Sequence, residues 1–324
     1  ALDNTLLVLM SDNGASQEGG PFGVLHEMKF FNFILETPEE AVARLDDIGG
    51  PHSHSNYPWG WAQAGNTPFK WYKQNTHEGG VHVPLIVHWP ATVTDGGGLR
   101  GQFHYVTDIA PTVYEIVGVT PPEVYRGLEQ MPIAGTSMRY CFDAATAHAP
   151  ARKRVQYFEM MGHRAIYADG WKAVTRHQPG VSFDDDTWEL YHVAEDRSEC
   201  HDLAAAMPEK LAEMIALWWA EAEEHGVLPL DDRTLELFGA RFRARSPHPE
   251  RRRYTYYPPM TSIPAQVGAQ IGGRSWDLAA TIERPAGAGG VFYATGNQNS
   301  GVTLFVQHDR LVFDYNCFGE HHVV

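Results

Sequence analysis

Long apolar runs are missing from this 324-residue sequence. None approaches the roughly 18–20 consecutive apolar residues that a membrane-spanning helix needs, so no membrane partner is expected. Cysteine is scarce: Cys141, Cys200 and Cys317 are far apart and odd in number. No C-x-x-C pair occurs, which argues against both a zinc site and a disulfide framework and leaves buried or free thiols. Positive charge is also in short supply. Twenty-five Lys and Arg face 40 Asp and Glu, a formal net charge of −15, whereas nucleic-acid binding calls for clustered cations. The one basic run, 241–253 in "ARFRARSPHPERRR", is broken by Ser and Pro and reads as a solvated loop. No repeat of fixed period is visible. A charged-then-apolar leader is absent and the first residue is not Met, so the chain is read as a piece of a longer protein.

What is present indicates a folded protein with a substantial core: 43% hydrophobic and 20% charged residues are globular proportions. The segment "TLLVLM", 5–10, is continuously apolar, as a strand covered on both faces in the parallel sheet of an α/β fold would be. "VHVPLIVHWP", 81–90, reads as a second buried strand, with irregular ends at Pro84 and Pro90. Between them, Thr37, Pro38 and Glu40 form a helix-start signature, and Gly49-Gly50 a stop. The stretch 51–69, rich in Pro, Gly, Asn and Trp, predicts a long ordered loop. Apolar residues at 106, 109, 113, 116 and 117 have helical spacing, with the start near Pro111 and Gly118 as terminator. Residues 155–175 predict two or three short strands with a turn at 168–170, and 188–196 one more. Pro208 opens a strong helix ending at Gly226. The Pro- and Arg-rich stretch 229–262 reads as a linker or wrapping segment. After Ser275, the runs "SWDLAATIERP", "GGVFYATG", "GVTLFVQHD" and "RLVFDYN" predict antiparallel strands.

The first apolar run ends on Ser11-Asp12-Asn13-Gly14. In open α/β sheets ligands gather at the carboxyl ends of strands. Asp offers an anionic oxygen and Asn a neutral one, a pairing suited to a hard cation. The same residues also make ordinary turns. Further on, Lys73 stands five residues before Glu78-Gly79-Gly80, where an ammonium could meet an anion. Taken singly, a surface lysine and a turn explain these residues equally well.

In order along the chain, "LLVLMSDNGASQEGG", "NTPFKWYKQNTHEGGVHVPLIVHWP", "HYVTDIAPTVYEIVG", "GTSM", "YFEMMGHRAIYADGWKAV" and "WELYHVAEDRSECHDLA" resemble the carboxyl-terminal half of the arylsulfatases. These belong to the alkaline-phosphatase-like superfamily. The likeness runs from residue 5 to about 233, and the stretch from Ser275 resembles an added β-module of larger bacterial members. The resemblance implies an α/β fold, part of an alkaline-phosphatase-like sandwich. Residues 1–150 would be its catalytic α/β part and 151–233 a small carboxyl-terminal antiparallel sheet with a trailing helix. Residues 234–273 would be the linker and 274–324 the start of the β-module. It implies hydrolysis of sulfate esters, with Asp12 and Asn13 as ligands of a divalent cation, Ca²⁺ or alternatively Mg²⁺. Lys73 would contact the sulfate, with Lys70 as its alternate and His77 as a local acid. His163, Trp59, Trp61 and Trp71 are candidates for the pocket edge. The partner implied is a sulfate ester, in a soluble cytoplasmic or periplasmic protein of bacterial type.

The sequence also departs from that pattern. The family's nucleophile is a formylglycine made within Cys/Ser-x-Pro/Ala-x-Arg. None of the three cysteines has that context, and Ser246 and Ser262 lack the Arg. The paired Asp ligands and the assisting His of the family's first half are missing too. The expectation is a truncated enzyme. A phosphomonoesterase or phosphonate hydrolase of the same superfamily, and a non-catalytic binding protein that kept the fold, are the alternatives.

Overall fold

A computed structural model describes residues 2–31, 34–51, 53–233, 250–257, 259–264, 267–269, 271–272, 274–296 and 300–324. Along the chain come β1 (Leu7–Met10), α1 (Glu27–Phe31), α2 (Pro38–Ala43), α3 (Trp59–Asn66), the one-turn α4 (Glu78–Val81), β2 (Leu85–His88) and α5 (Ile109–Val117). The short strands β3 (Val124–Tyr125) and β4 (Leu128–Glu129) follow, then β5 (Val155–Met160), β6 (His163–Ala168), β7 (Trp171–Thr175) and β8 (Trp188–Tyr191). Helix α6 (Pro208–Glu224) precedes β9 (Gly290–Gly296), β10 (Ser300–Gln307), β11 (Arg310–Cys317) and β12 (Glu320–Val323). The chain divides into two compact units, one of residues 1–16 and 62–232, the other of 17–61 and 233–324.

In the first unit, β5-β6-β7-β8 form an antiparallel meander. Their inward residues Ile166, Ala173 and Leu190 pack under Met214, Trp218 and Ala222 of α6. The helix forms because Pro208 fits its first turn and its apolar residues recur at three- and four-residue spacing. Trp218 is fully buried and its indole N–H donates to the Phe158 carbonyl at 3.1 Å, so the largest side chain in the core leaves no polar atom unpaired. On the sheet's other side Phe158, Ala165, Val174, Tyr191 and Val193 gather Val81, Phe103 and Tyr105. Helix α5 ends on Gly118 at φ 68°, a left-handed cap that glycine adopts without steric cost.

The strand pair expected to lie inside a parallel sheet is different. β1 pairs antiparallel with β2, Leu7 opposite His88 and Met10 opposite Leu85, in a two-stranded ribbon. Neither strand is covered on both faces: Leu9 is 67% and Ile86 57% exposed. An apolar run records that a strand avoids water in the folded whole, not which neighbours cover it, so it cannot distinguish a parallel interior strand from an antiparallel ribbon.

In the second unit, α2 begins with the predicted capping box: Thr37 accepts from the Glu40 N–H at 3.2 Å, while the Thr37 N–H donates to Glu40 Oε2 at 2.8 Å. The stretch 51–69 is not the continuous loop expected, because α3 occupies its second half. Strands β9 to β12 form a second antiparallel meander, with Val302 and Val306 buried on one face. "SWDLAATIERP" carries no strand. The Arg-rich run 241–253 and the 234–273 linker lie largely outside the described residues.

Candidate functional site

The turn after β1 and the segment leading into α4 are laced together through their backbones. The Gly14 N–H donates to the Gly80 carbonyl at 3.0 Å, and the Lys73 N–H to the Ala15 carbonyl at 3.0 Å. The packing leaves no room for side chains. A Cβ on Gly14 would lie 1.7 Å from the Gly79 oxygen, and one on Gly79 would lie 2.0 Å from the Trp71 oxygen. One on Gly80 would lie 1.9 Å from the Asn75 oxygen. Glu-Gly-Gly is therefore required by close backbone approach.

Within this crossing, Asp12 is exposed. Among the described residues its carboxylate has no hydrogen-bond or ion-pair partner. The neighbouring Asn13 donates its Nδ2 to the Gly14 carbonyl at 3.1 Å, which leaves Oδ1 as an acceptor. Two oxygen donors of the hard type, side by side and not consumed by the protein, fit a cation such as Ca²⁺ or Mg²⁺ as part of a ligand set. They do not complete one: among the described residues no group of three or more His, Cys, Asp or Glu could hold a metal.

Lys73 is half-buried and tied by its backbone to the same crossing. Lys70 points elsewhere: its Nζ donates to Glu189 Oε2 at 2.8 Å and to the Tyr191 hydroxyl at 2.9 Å on β8. His77 is fully buried, its Nε2 lies 3.2 Å from the same Glu189 oxygen, and its Nδ1 has no partner among the described residues. Burial pushes the His77 imidazole below its ordinary value, against the pull of Glu189. Burial would raise the Glu189 carboxyl, but the bonds from His77, Lys70 and Tyr191 outweigh it and hold that group far below the carboxylate range.

Beneath the loop lies a second charged cluster that the sequence did not reveal. Lys172 of β7 is fully buried, with Nζ 2.7 Å from Glu78 Oε1 and 3.3 Å from Glu199 Oε1. Glu199 in turn accepts the Glu78 backbone N–H at 2.9 Å, and His82 Nδ1 lies 2.6 Å from Glu78 Oε2. Although burial opposes it, Lys172 and His82 hold the Glu78 carboxyl down at about 2. Lys172 is driven upward, because the two carboxylates overcome its own desolvation. Sequence alone hid this pairing: a lysine alternating with apolar residues in "GWKAV" reads as the solvent side of a strand.

Of the pocket-edge candidates, His163 uses Nδ1 to accept the His177 N–H at 2.8 Å. Trp71 carries the Arg176 guanidinium 3.9 Å above its ring. Trp59 and Trp61 are exposed. The cavity of about 500 Å³ lined by Trp89, Arg139, Tyr140 and Arg152 includes none of these residues.

Two family models tile the first two thirds of the chain. The Sulfatase model matches residues 1–119, and that of the carboxyl-terminal part of N-sulphoglucosamine sulphohydrolase matches 68–219. Residues 1–219 thus match sulfatase models throughout. An uncharacterized sulfatase of Schizosaccharomyces pombe is 29% identical over 71% of this chain and 40% of its own length. The arylsulfatase of Klebsiella aerogenes is 27% identical over 49% of this chain and 31% of its own. The chain thus spans less than half the length of these curated relatives. A solved structure described as Ps i-CgsB is 22% identical, with a TM-score of 0.46, over 75% of this chain and 42% of that one.

Proposed function

We propose that this chain supplies the cation-binding and sulfate-contacting part of an enzyme that hydrolyses sulfate esters to an alcohol or phenol plus sulfate. The observation that carries this reading is the lacing of residues 14–15 onto 73–80, which brings the turn holding Asp12 and Asn13 to the segment of Lys73. In that reading Asp12 and Asn13 hold a divalent cation, Ca²⁺ or Mg²⁺. When bound, the cation supplies fixed positive charge against the sulfate and leaving-group oxygens. Lys73 adds an ammonium that donates to a non-bridging oxygen, a charge placed where the transition state needs it. Lys70, the alternate for that contact, donates to Glu189 and Tyr191. The acid role expected of His77 has no support from its surroundings. Its ring is fully buried and held on Glu189, a setting that suits fixing the loop.

No Cys/Ser-x-Pro/Ala-x-Arg segment occurs in the sequence, and in this reading the nucleophile is supplied by residues outside these 324. The experiment uses p-nitrophenyl sulfate with the polypeptide expressed together with the upstream coding sequence. Lys73→Ala is expected to lower kcat and kcat/KM, and Asp12→Ala to abolish calcium retained after desalting, read by plasma emission, together with nearly all turnover. Unchanged calcium in Asp12→Ala, or unchanged kinetics in Lys73→Ala, refutes the assignment.

A further inference from the structure

Asn66, the last residue of α3, takes no part in the proposed chemistry, yet its side chain sits at the crossing. Its Oδ1 accepts the Ala15 N–H at 2.9 Å. Its Nδ2 donates to the Trp71 carbonyl at 3.0 Å and to the Gly79 carbonyl at 2.7 Å. An amide has two donor hydrogens and a carbonyl acceptor in one plane, and all three functions are used here on backbone groups. One end of the amide grips the turn after β1. The other grips both sides of the segment that carries Lys73, two residues before it at Trp71 and six after it at Gly79. No other short side chain can do this: Asp lacks the donors, Ser lacks the reach, and Leu lacks every polar atom. The Gly79 carbonyl that Asn66 holds is also the atom that a Cβ on Gly14 would meet first, so the amide acts where the two turns lie too close for a side chain.

We propose that Asn66 is the positioning residue that sets the spacing between the Asp12-Asn13 pair and Lys73. This rests on the sulfate-ester reading for what the spacing is used for, but not for the tie itself. Loss of the amide leaves three backbone groups without their partner. Losing bonds of this kind from one segment is expected to loosen it about tenfold.

The first arm measures hydrogen–deuterium exchange by mass spectrometry on the 324-residue chain, comparing wild type with Asn66→Ala and Asn66→Asp. In Asn66→Ala, exchange over 13–16 and 71–80 is expected to rise about tenfold, while β5 to β8 keep their protection. In Asn66→Asp, which retains an acceptor but no donors, 71–80 is expected to loosen while the Ala15 amide stays protected. Unchanged exchange at both turns overturns the proposal. So does an equal loss across β5 to β8, which would make Asn66 a general stabiliser. The second arm uses whichever form of the polypeptide hydrolyses p-nitrophenyl sulfate. Asn66→Ala is expected both to lower kcat/KM and to raise the calcium concentration for half-maximal rate, whereas Lys73→Ala lowers kcat/KM alone. A shift in only one quantity, or in neither, removes the positioning role. If no form hydrolyses the ester, the sulfate-ester reading fails, and the exchange arm still decides whether Asn66 ties the turns.

Discussion

Individual histidines give this protein opposing responses to pH. His163 is depressed from its ordinary 6.5 to about 4, by burial first and then by Arg176 and neighbouring histidines, and its Nδ1 must stay unprotonated to accept the His177 N–H. A group whose folded value is lowered in this way protonates more readily in the unfolded chain, so stability is lost as pH falls from 6.5 toward 4. His77 acts in the same direction. His104 is the reverse. Burial pulls it down, but bonds to Asp108 and Cys141 prevail and hold it at about 9. Its contribution is complete below 6.5 and is lost as pH rises through 9. The urea midpoint is therefore expected to peak near neutrality and to fall on both sides. His163→Asn should flatten the acid limb and His104→Gln the alkaline one, each followed by tryptophan fluorescence. Asp12, Asn13 and Lys73, the residues proposed to carry the chemistry, were named through the family resemblance, since taken singly a strand-end acid and a lysine before Glu-Gly-Gly read equally well as a turn and a surface cation. Asn66 was not, since its work consists of bonds to backbone groups at 15, 71 and 79, and backbone partners leave no mark in a sequence.

At the level of elements, α4 and its loop are held by strands from a distant part of the chain. Lys172 of β7 meets Glu78 at the head of α4, and Glu189 of β8 receives Lys70 and His77. Replacing Lys172 by Met removes one charge and strands Glu78 and Glu199 in the interior. A loss of about 3–5 kcal/mol is expected, the usual cost of breaking a buried pair from one side, measured by urea unfolding. A loss under about 1 kcal/mol, as for an exposed pair, would mean that water reaches the cluster. The elements themselves were mostly readable. The capping box at Thr37, the Pro208 start of α6 and the turn-punctuated strands of the small sheet each carry a local signal. The short helix α3 escaped because Pro, Gly and Trp around it mimic a loop. The covering of β1 escaped because an apolar run is silent about its neighbours.

For the whole molecule, the proposal divides the work between this chain and residues beyond it. The 324-residue chain by itself is expected to leave p-nitrophenyl sulfate intact, and the product of the longer reading frame to release nitrophenolate. Turnover by the isolated chain, or none by the longer one, would contradict that division. The exposed apolar residues of β1 and β2, such as Leu9 and Ile86, are consistent with it.

The bond from Lys172 to Glu78 spans 94 positions of sequence, and that from Lys70 to Glu189 spans 119. Neither end of the Lys172–Glu78 couple can drift by itself, because the survivor would be an uncompensated ion shut away from solvent, whereas Lys70 and Glu189 are partly exposed. The small sheet therefore travels with the loop as one heritable package. An engineer who grafted residues 66–82 onto another scaffold would import the lysine proposed to contact sulfate without the two strands that keep its segment in shape.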